Sequence, residues 1–292
     1  YNMSRRKQWE ECSIINGFAE VKTLSWHYFF NYVYKEMLDY ETYIWRGQRC
    51  DDWLLESTLD RLRKRARIAK TKSYDFGKQH LEQFKDAVRG RRGSNPPKLE
   101  TENDWWALGQ HHGLATPLLD WTTSPFVAAY FAFIGVGEKQ TKFRSIYALH
   151  RPSIERKVNE LHFVANEKRK KEKQEVESGK KSMGLIGRYL LDIPIMPEVE
   201  FIRPLSDENQ RLVNQGGLFT RFPDEKDIQS WVHANFKDDN KGYILIKIHV
   251  PNKDREECLK SLNRMNINHL TLFPDLYGAS KFCNLFGEIE KY

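Results

Sequence analysis

The stretch at residues 105–133, WWALGQHHGLATPLLDWTTSPFVAAYFAF, constrains the fold more than any other part of the chain. It is apolar enough to be core, yet its middle holds two adjacent histidines, an aspartate and three consecutive hydroxyl side chains. Buried polar groups are paired or they destabilise the fold, so this cluster requires an internal network or a ligand. The local pattern is strand, turn, helix. LLDWTT reads as a short strand, and SPFVAAYFAF as a helix with Ser124 at the N-cap and Pro125 at the first helical position. DWWALGQHHG, just before, reads as a short helix begun by an Asp104 cap and stopped at Gly113.

The same alternation of short strands and helices runs along the chain. Residues 24–38 space their apolar side chains as a buried helix does, and YIWRGQ at 43–48 reads as a strand ending in a glycine turn. An amphipathic helix is expected at 74–90, with strands at 144–150, 199–204, 217–222 and 242–251. Helices are expected at 206–214, at 253–265 and, started by a proline, within 272–286. Between 155 and 182 the chain becomes rich in Lys and Glu, which implies a solvated helical insertion or a mobile segment. No internal repeat is present, and the expected architecture is one α+β domain over residues 1–292.

Composition narrows the partners. A hydrophobic share of 40% in 292 residues is enough for a core, while 30% charge leaves a strongly solvated surface. No apolar run is long enough to span a bilayer and the first residues lack the apolar core of a signal peptide, so no membrane partner and a cytoplasmic location are expected. Cys12, Cys50, Cys258 and Cys283 show no CxxC spacing, so neither zinc nor a disulfide framework is expected. A metal site from His111, His112 and Asp120 is disfavoured as well, because adjacent helical residues point about 100° apart. Net charge is +7, which tilts the partners toward polyanions. RLRKRARIAKTK at 61–72 has seven basic residues and no acid; Arg61, Arg63, Lys64, Arg65 and Arg67 are its candidate nucleic-acid contacts, against the plainer reading of a solvated face.

WRGQ, QHHGLATPLLDWTTSPFVAAYFA, RLVNQGGLF and FPDLYG, taken together over residues 43–282, resemble the FRG-domain family. That family in turn resembles ADP-ribosyltransferases whose arginine, Ser-Thr-Ser and glutamate motifs lie on three strands in this order. The resemblance implies a split-sheet core of short strands with flanking helices. It implies that Arg46 takes the first motif, Thr122, Thr123 and Ser124 the second, and Gln215 the place of the catalytic glutamate. It further implies that NAD is the substrate, that no metal is needed, and that the chain is a toxin or phage-defence effector with an antitoxin partner.

Residue chemistry is compatible with those roles. A guanidinium at a strand end is suited to phosphate or ribose oxygens, so Arg46, Gly47 and Gln48 form one expected ligand contact. Hydroxyls at 122–124 and the free N–H groups of the following helix form another. Tyr130 and Trp121 are candidates to flank the nicotinamide, and His112 and Asp120 to brace the TTS turn. Gln215 can bond a ribose hydroxyl but its neutral amide cannot serve as a base, so Asp207 or Glu208 is a candidate compensating acid. The expected acceptor is a nucleic acid, RNA ahead of DNA, with protein as the rival. A catalytically inactive module binding nucleotide or nucleic acid is the second reading, and a metal-dependent nuclease using His112 and Asp120 the third.

Overall fold

The structure, a computed structural model, describes residues 7–292 apart from 39–40, 70–71, 95, 97, 138, 185–186, 188–190, 192–194, 196–197, 204–209 and 223–226. Its strands are β1 (Trp9–Glu11), β2 (Phe18–Thr23), β3 (Tyr43–Gln48), β4 (Leu118–Thr122), β5 (Phe143–His150), β6 (Glu200–Ile202), β7 (Gly217–Arg221) and β8 (Leu245–Pro251). They form one sheet in the order β1-β2-β8-β5-β3-β4-β7-β6. Every neighbouring pair is antiparallel except β2 with β8. The described helices are α1 (Trp26–Tyr32), α2 (Thr58–Arg65), α3 (Ser73–Ala87), α4 (Glu102–His111), α5 (Pro125–Ile134) and α6 (Arg151–Glu177). After these come α7 (Gln210–Asn214), α8 (Ile228–Asn235), α9 (Arg255–Arg264), α10 (His269–Leu272) and α11 (Leu276–Glu288). The α+β class expected from the sequence is therefore what forms.

One discontinuity divides the sheet. Strand β3 pairs with β5 at six positions and β4 pairs with β7 at five, but β3 and β4 meet only at Trp45 and Thr122. Past that point the two strands part, and the middle of the sheet is open. Separate covers follow from the division. On one side α5, α9 and α11 bury Trp45, Phe133, Ile146 and Ile248. On the other, α2, α3 and α4 bury Leu59, Leu81 and Trp106 against Leu118 of β4 and Phe219 of β7. A third cluster, with Ile44, Trp121, Tyr147, Leu149 and Leu218, joins both halves and takes in Ile154 and Val158 of α6. Each such side chain contributes on the order of 1.5–3 kcal/mol when fully buried.

Several local expectations change. Helix α4 is capped by Thr101, whose hydroxyl accepts from the Asp104 N–H while the Asp104 carboxylate accepts from the Thr101 N–H; Asp104 is the third helical residue of a capping box, not the cap. Helix α11 starts from Asp275, whose carboxylate accepts from Gly278 N, and the preceding Pro274 stays outside it. The apolar segment at 24–38 is α1 followed by a π turn at Val33–Met37. Strands β1 and β2 and helices α2 and α8 were not expected. The charged stretch is the outer part of a 27-residue helix, α6, whose first two turns are anchored by Ile154 and Val158. The expected helix at 206–214 lies partly outside the described residues and is described from Gln210.

Helix α5 lies directly on β3. A Cβ at Gly47 would sit 1.9 Å from the Ala128 carbonyl oxygen, so only glycine permits this approach. The carbonyls at the end of α5 are met by two cations, buried Arg144 and half-buried Arg255: Arg144 Nη1 donates to Ala132 O and Gly135 O at 2.8 Å, and Arg255 Nε to Phe133 O at 3.1 Å. Replacement of Gly47 by alanine is expected to cost roughly 3 kcal/mol or more, above the ordinary overpacking range because backbone must move. Urea unfolding of Gly47→Ala measures it; a loss below about 1 kcal/mol would contradict the contact.

Candidate functional site

A cleft of about 340 Å³ opens where β3 and β4 part, within the size range of small-molecule sites. Arg46, Gly47, Asp120, Thr122 and Gln215 line it, with Phe131 of α5 and Phe273 beside α10 as aromatic walls. Arg46 alternates to the sheet face opposite Trp45 and Gly47, and its guanidinium reaches across the gap. Nη1 donates to Asp120 O at 2.8 Å and lies 3.5 Å from Asp120 Oδ2. Its Nε is buried with no hydrogen-bond partner among the described residues. Burial lowers the Arg46 pKa, and the nearby Asp120 carboxylate opposes that shift while Arg61 adds to it. An arginine held this way keeps donor capacity in reserve.

Asp120 is the cleft's carboxylate. Its side chain is 58% exposed, against 15% for Arg46. Oδ1 accepts from Gln110 Nε2 at 2.8 Å, and Gln110 Oε1 accepts from the Thr116 hydroxyl. Thr116 N in turn donates to Thr58 Oγ1 at 2.8 Å, so a hydrogen-bond chain runs from α2 through α4 to Asp120. The bracing partner of Asp120 is thus Gln110. His112, expected in that role, is an exposed residue closing α4 and is not among the residues that line the cleft.

Thr122, Thr123 and Ser124 have separate tasks. Thr122 Oγ1 donates to Gln215 O at 2.6 Å and accepts from Ser124 N at 3.1 Å, tying β4 to the turn before β7. Ser124 Oγ accepts from Val127 N at 3.3 Å as the cap of α5, which commits it to the helix. Thr123 is exposed, holds Gly216 O through its backbone N–H at 3.0 Å, and lines a neighbouring surface pocket with Gly216. Gln215 faces the cleft; its Nε2 donates to Leu272 O at 3.1 Å, and its amide oxygen has no partner among the described residues.

Other expected contacts lie elsewhere. Tyr130 is 0% exposed in the core under α5 and its hydroxyl hydrogen-bonds His269 Nδ1 at 2.5 Å, so it flanks no ligand. Gln48 is 4% exposed and its Nε2 donates to Leu54 O at 3.1 Å, because alternation along β3 carries it under the following loop. Trp121 borders the cleft but its indole N–H is spent on Thr220 Oγ1 at 2.8 Å. Arg63 is buried beside Asp60, at 3.1 Å, and Lys64 pairs with Glu56, whereas Arg61, Arg65 and Arg67 are exposed. Asp207 and Glu208 lie outside the described residues. Gln110, Phe131 and Phe273 were missed, although Gln110 and Phe131 sit inside the stretch of 105–133; neither carried a charge that would single it out.

The fold and cleft define an α+β protein with a ligand-sized opening at a break in its central sheet. Residues 41–142 match the family model of the FRG domain. That segment carries β3, α2, α3, α4, β4 and α5, and so both strands that flank the opening; Gln215 and Phe273 lie beyond it. No curated protein and no solved structure matches the chain. Among the described residues no helix is long and apolar enough to cross a membrane.

The rear wall of the cleft, at Phe273, packs on a buried histidine. The His269 ring stacks on Phe273 with centroids 5.0 Å apart, and burial, then Lys281, lowers the His269 pKa. A depressed histidine stabilises the fold above its unfolded value of about 6.5 and loses that contribution as pH falls through the folded value. Unfolding free energy is therefore expected to drop between pH 7.5 and 5, and to drop less in His269→Gln. Equal slopes for the two proteins in urea titrations would show that His269 plays no part.

Proposed function

We propose that the chain is an NAD-dependent ADP-ribosyltransferase acting through the cleft between β3 and β4. The observation that carries this reading is the convergence of Arg46, Asp120, Thr122 and Gln215 on one opening with aromatic walls. Arg46 holds phosphate or ribose oxygens with donors not used by the protein. In the reaction the glycosidic C–N bond breaks with its electron pair leaving on nicotinamide, and the acceptor nucleophile forms the new bond to the ribose carbon. The sugar between these events is oxocarbenium-like, so lone-pair or negative density beside it lowers the barrier. Gln215 supplies an amide oxygen. Asp120, on the same β4 side of the cleft, supplies the charge that a glutamine lacks and accepts the proton from the acceptor. The acceptor is a nucleic acid, RNA ahead of DNA, or a protein, and the activity fits a toxin or defence effector held in check by an antitoxin.

A catalytically inactive ligand-binding module is the second reading. Gln215 favours it, being an amide where the transferase motif has a carboxylate. The two separate when labelled NAD is incubated with protein and with separate pools of cellular RNA, DNA and protein. A transferase labels one pool, and Arg46→Ala and Asp120→Asn each lower the rate by about a hundredfold or more, as removal of a transition-state contact does. Absence of both label and nicotinamide release rejects the enzyme and leaves the module.

A further inference from the structure

The positive charge of this protein is concentrated in one layer. Residues 57–92, which span α2 and α3, hold twelve Lys and Arg against four Asp and Glu. Twelve against four leaves +8, more than the +7 of the whole chain, so the remaining 256 residues carry a net −1. Helix α6 is a useful contrast: its run of lysines is interleaved with acids, eight basic residues against six acidic. In the α2–α3 layer Arg63 is buried and Lys64 is paired, but Arg61, Arg65 and Arg67 are exposed, and no carboxylate among the described residues pairs with them.

This layer is connected to the cleft. Helix α2 is pinned at Thr58 to Thr116, Thr116 to Gln110, and Gln110 to Asp120. Gly77 of α3 lies against Arg63 of α2, and Leu59 and Leu81 of the two helices share a core with Leu118 of β4. Arg61 is near enough to Arg46 for the two guanidinium charges to interact. A polyanion lying along α2 is thereby led toward Arg46.

We infer that the exposed face of α2 and α3 docks a single-stranded nucleic acid, whose backbone follows Arg61, Arg65 and Arg67 and whose acceptor group enters the cleft. The docking rests on the transferase reading for its purpose, but not for its measurement. A phosphodiester strand matches the observations because it presents repeated negative charge to a cationic surface with few competing acids.

The test is fluorescence anisotropy of the full chain without NAD, using a short labelled single-stranded RNA and the matching DNA, over a range of salt. Binding of either strand is expected, and the two arms identify which sugar is preferred. The variant Arg61→Ala/Arg65→Ala/Arg67→Ala should bind about tenfold more weakly or worse and lose about 2 from the slope of log K against log salt, near 0.7 per phosphate contact. Removing the same charge from α6, in Lys168→Ala/Lys170→Ala/Lys171→Ala, should change affinity less than about twofold by the same counting. The variant Arg61→Lys/Arg65→Lys/Arg67→Lys should keep the binding that the alanine variant loses, which separates charge from a folding defect. No strand binding by the unaltered chain, or equal losses in the α2 and α6 variants, overturns the inference. NAD-dependent labelling of protein without strand binding would overturn it while leaving the transferase standing; strand binding without any NAD turnover would do the reverse.

Discussion

The hydrogen bond from Arg46 Nη1 to the Asp120 carbonyl stands where a sheet ladder would otherwise run. Backbone carbonyls exposed by a parted strand must find donors, and a buried group left without one costs about 1–3 kcal/mol. One long, rigid fork of donors spans a gap that backbone amides no longer bridge. The same bond fixes Arg46 in the opening, where burial opposes its charge and its Nε is left without a partner. Such incomplete satisfaction is what a site reserved for ligand shows, and a structural ion pair would not require it.

The opening stays in place because its walls are held independently. On the β3 side, the close contact of Gly47 with Ala128 lets α5 lie on the strand, and Arg144 and Arg255 meet the helix carbonyls at its far end. On the β4 side, Thr122 ties the strand to Gln215, and the sequence of bonds from Thr58 to Asp120 ties it to α2. Phe273 is placed by His269, which is placed by Tyr130. Tyr130 thus shapes the cleft from within the core and has no surface to offer a ligand.

Much of the element pattern was legible in the sequence because local rules govern it. Ser124 and Pro125 mark the start of α5, short runs rich in aliphatic and aromatic residues mark β3, β5 and β8, and the Lys and Glu run marks α6. The misses share a cause. Strand β1 has three residues and borrows its stability from β2, and β2 in turn from a parallel partner more than 200 residues away. Helix α2 was hidden by its charge, since only Leu59 and Arg63 are buried in it. In the cleft, Arg46, Asp120 and Gln215 are residues that chemistry singles out, whereas Gln110 and Phe273 acquire a role only from what they touch.

From the sequence alone came the α+β class, the strand-turn-helix at 118–134 and the presence of an arginine, hydroxyls and a glutamine at element ends. Periodicity, capping and turn chemistry act over a few residues and are written directly in the chain. The tertiary structure alone decided that β3 and β4 meet at a single position, that Arg46 and not a ladder closes the gap, that Tyr130 and Gln48 are buried away from it, and that His112 lies outside its lining. It also placed the basic layer beside the cleft. Strand register and side-chain facing arise from packing between segments distant in sequence, and no local pattern encodes them.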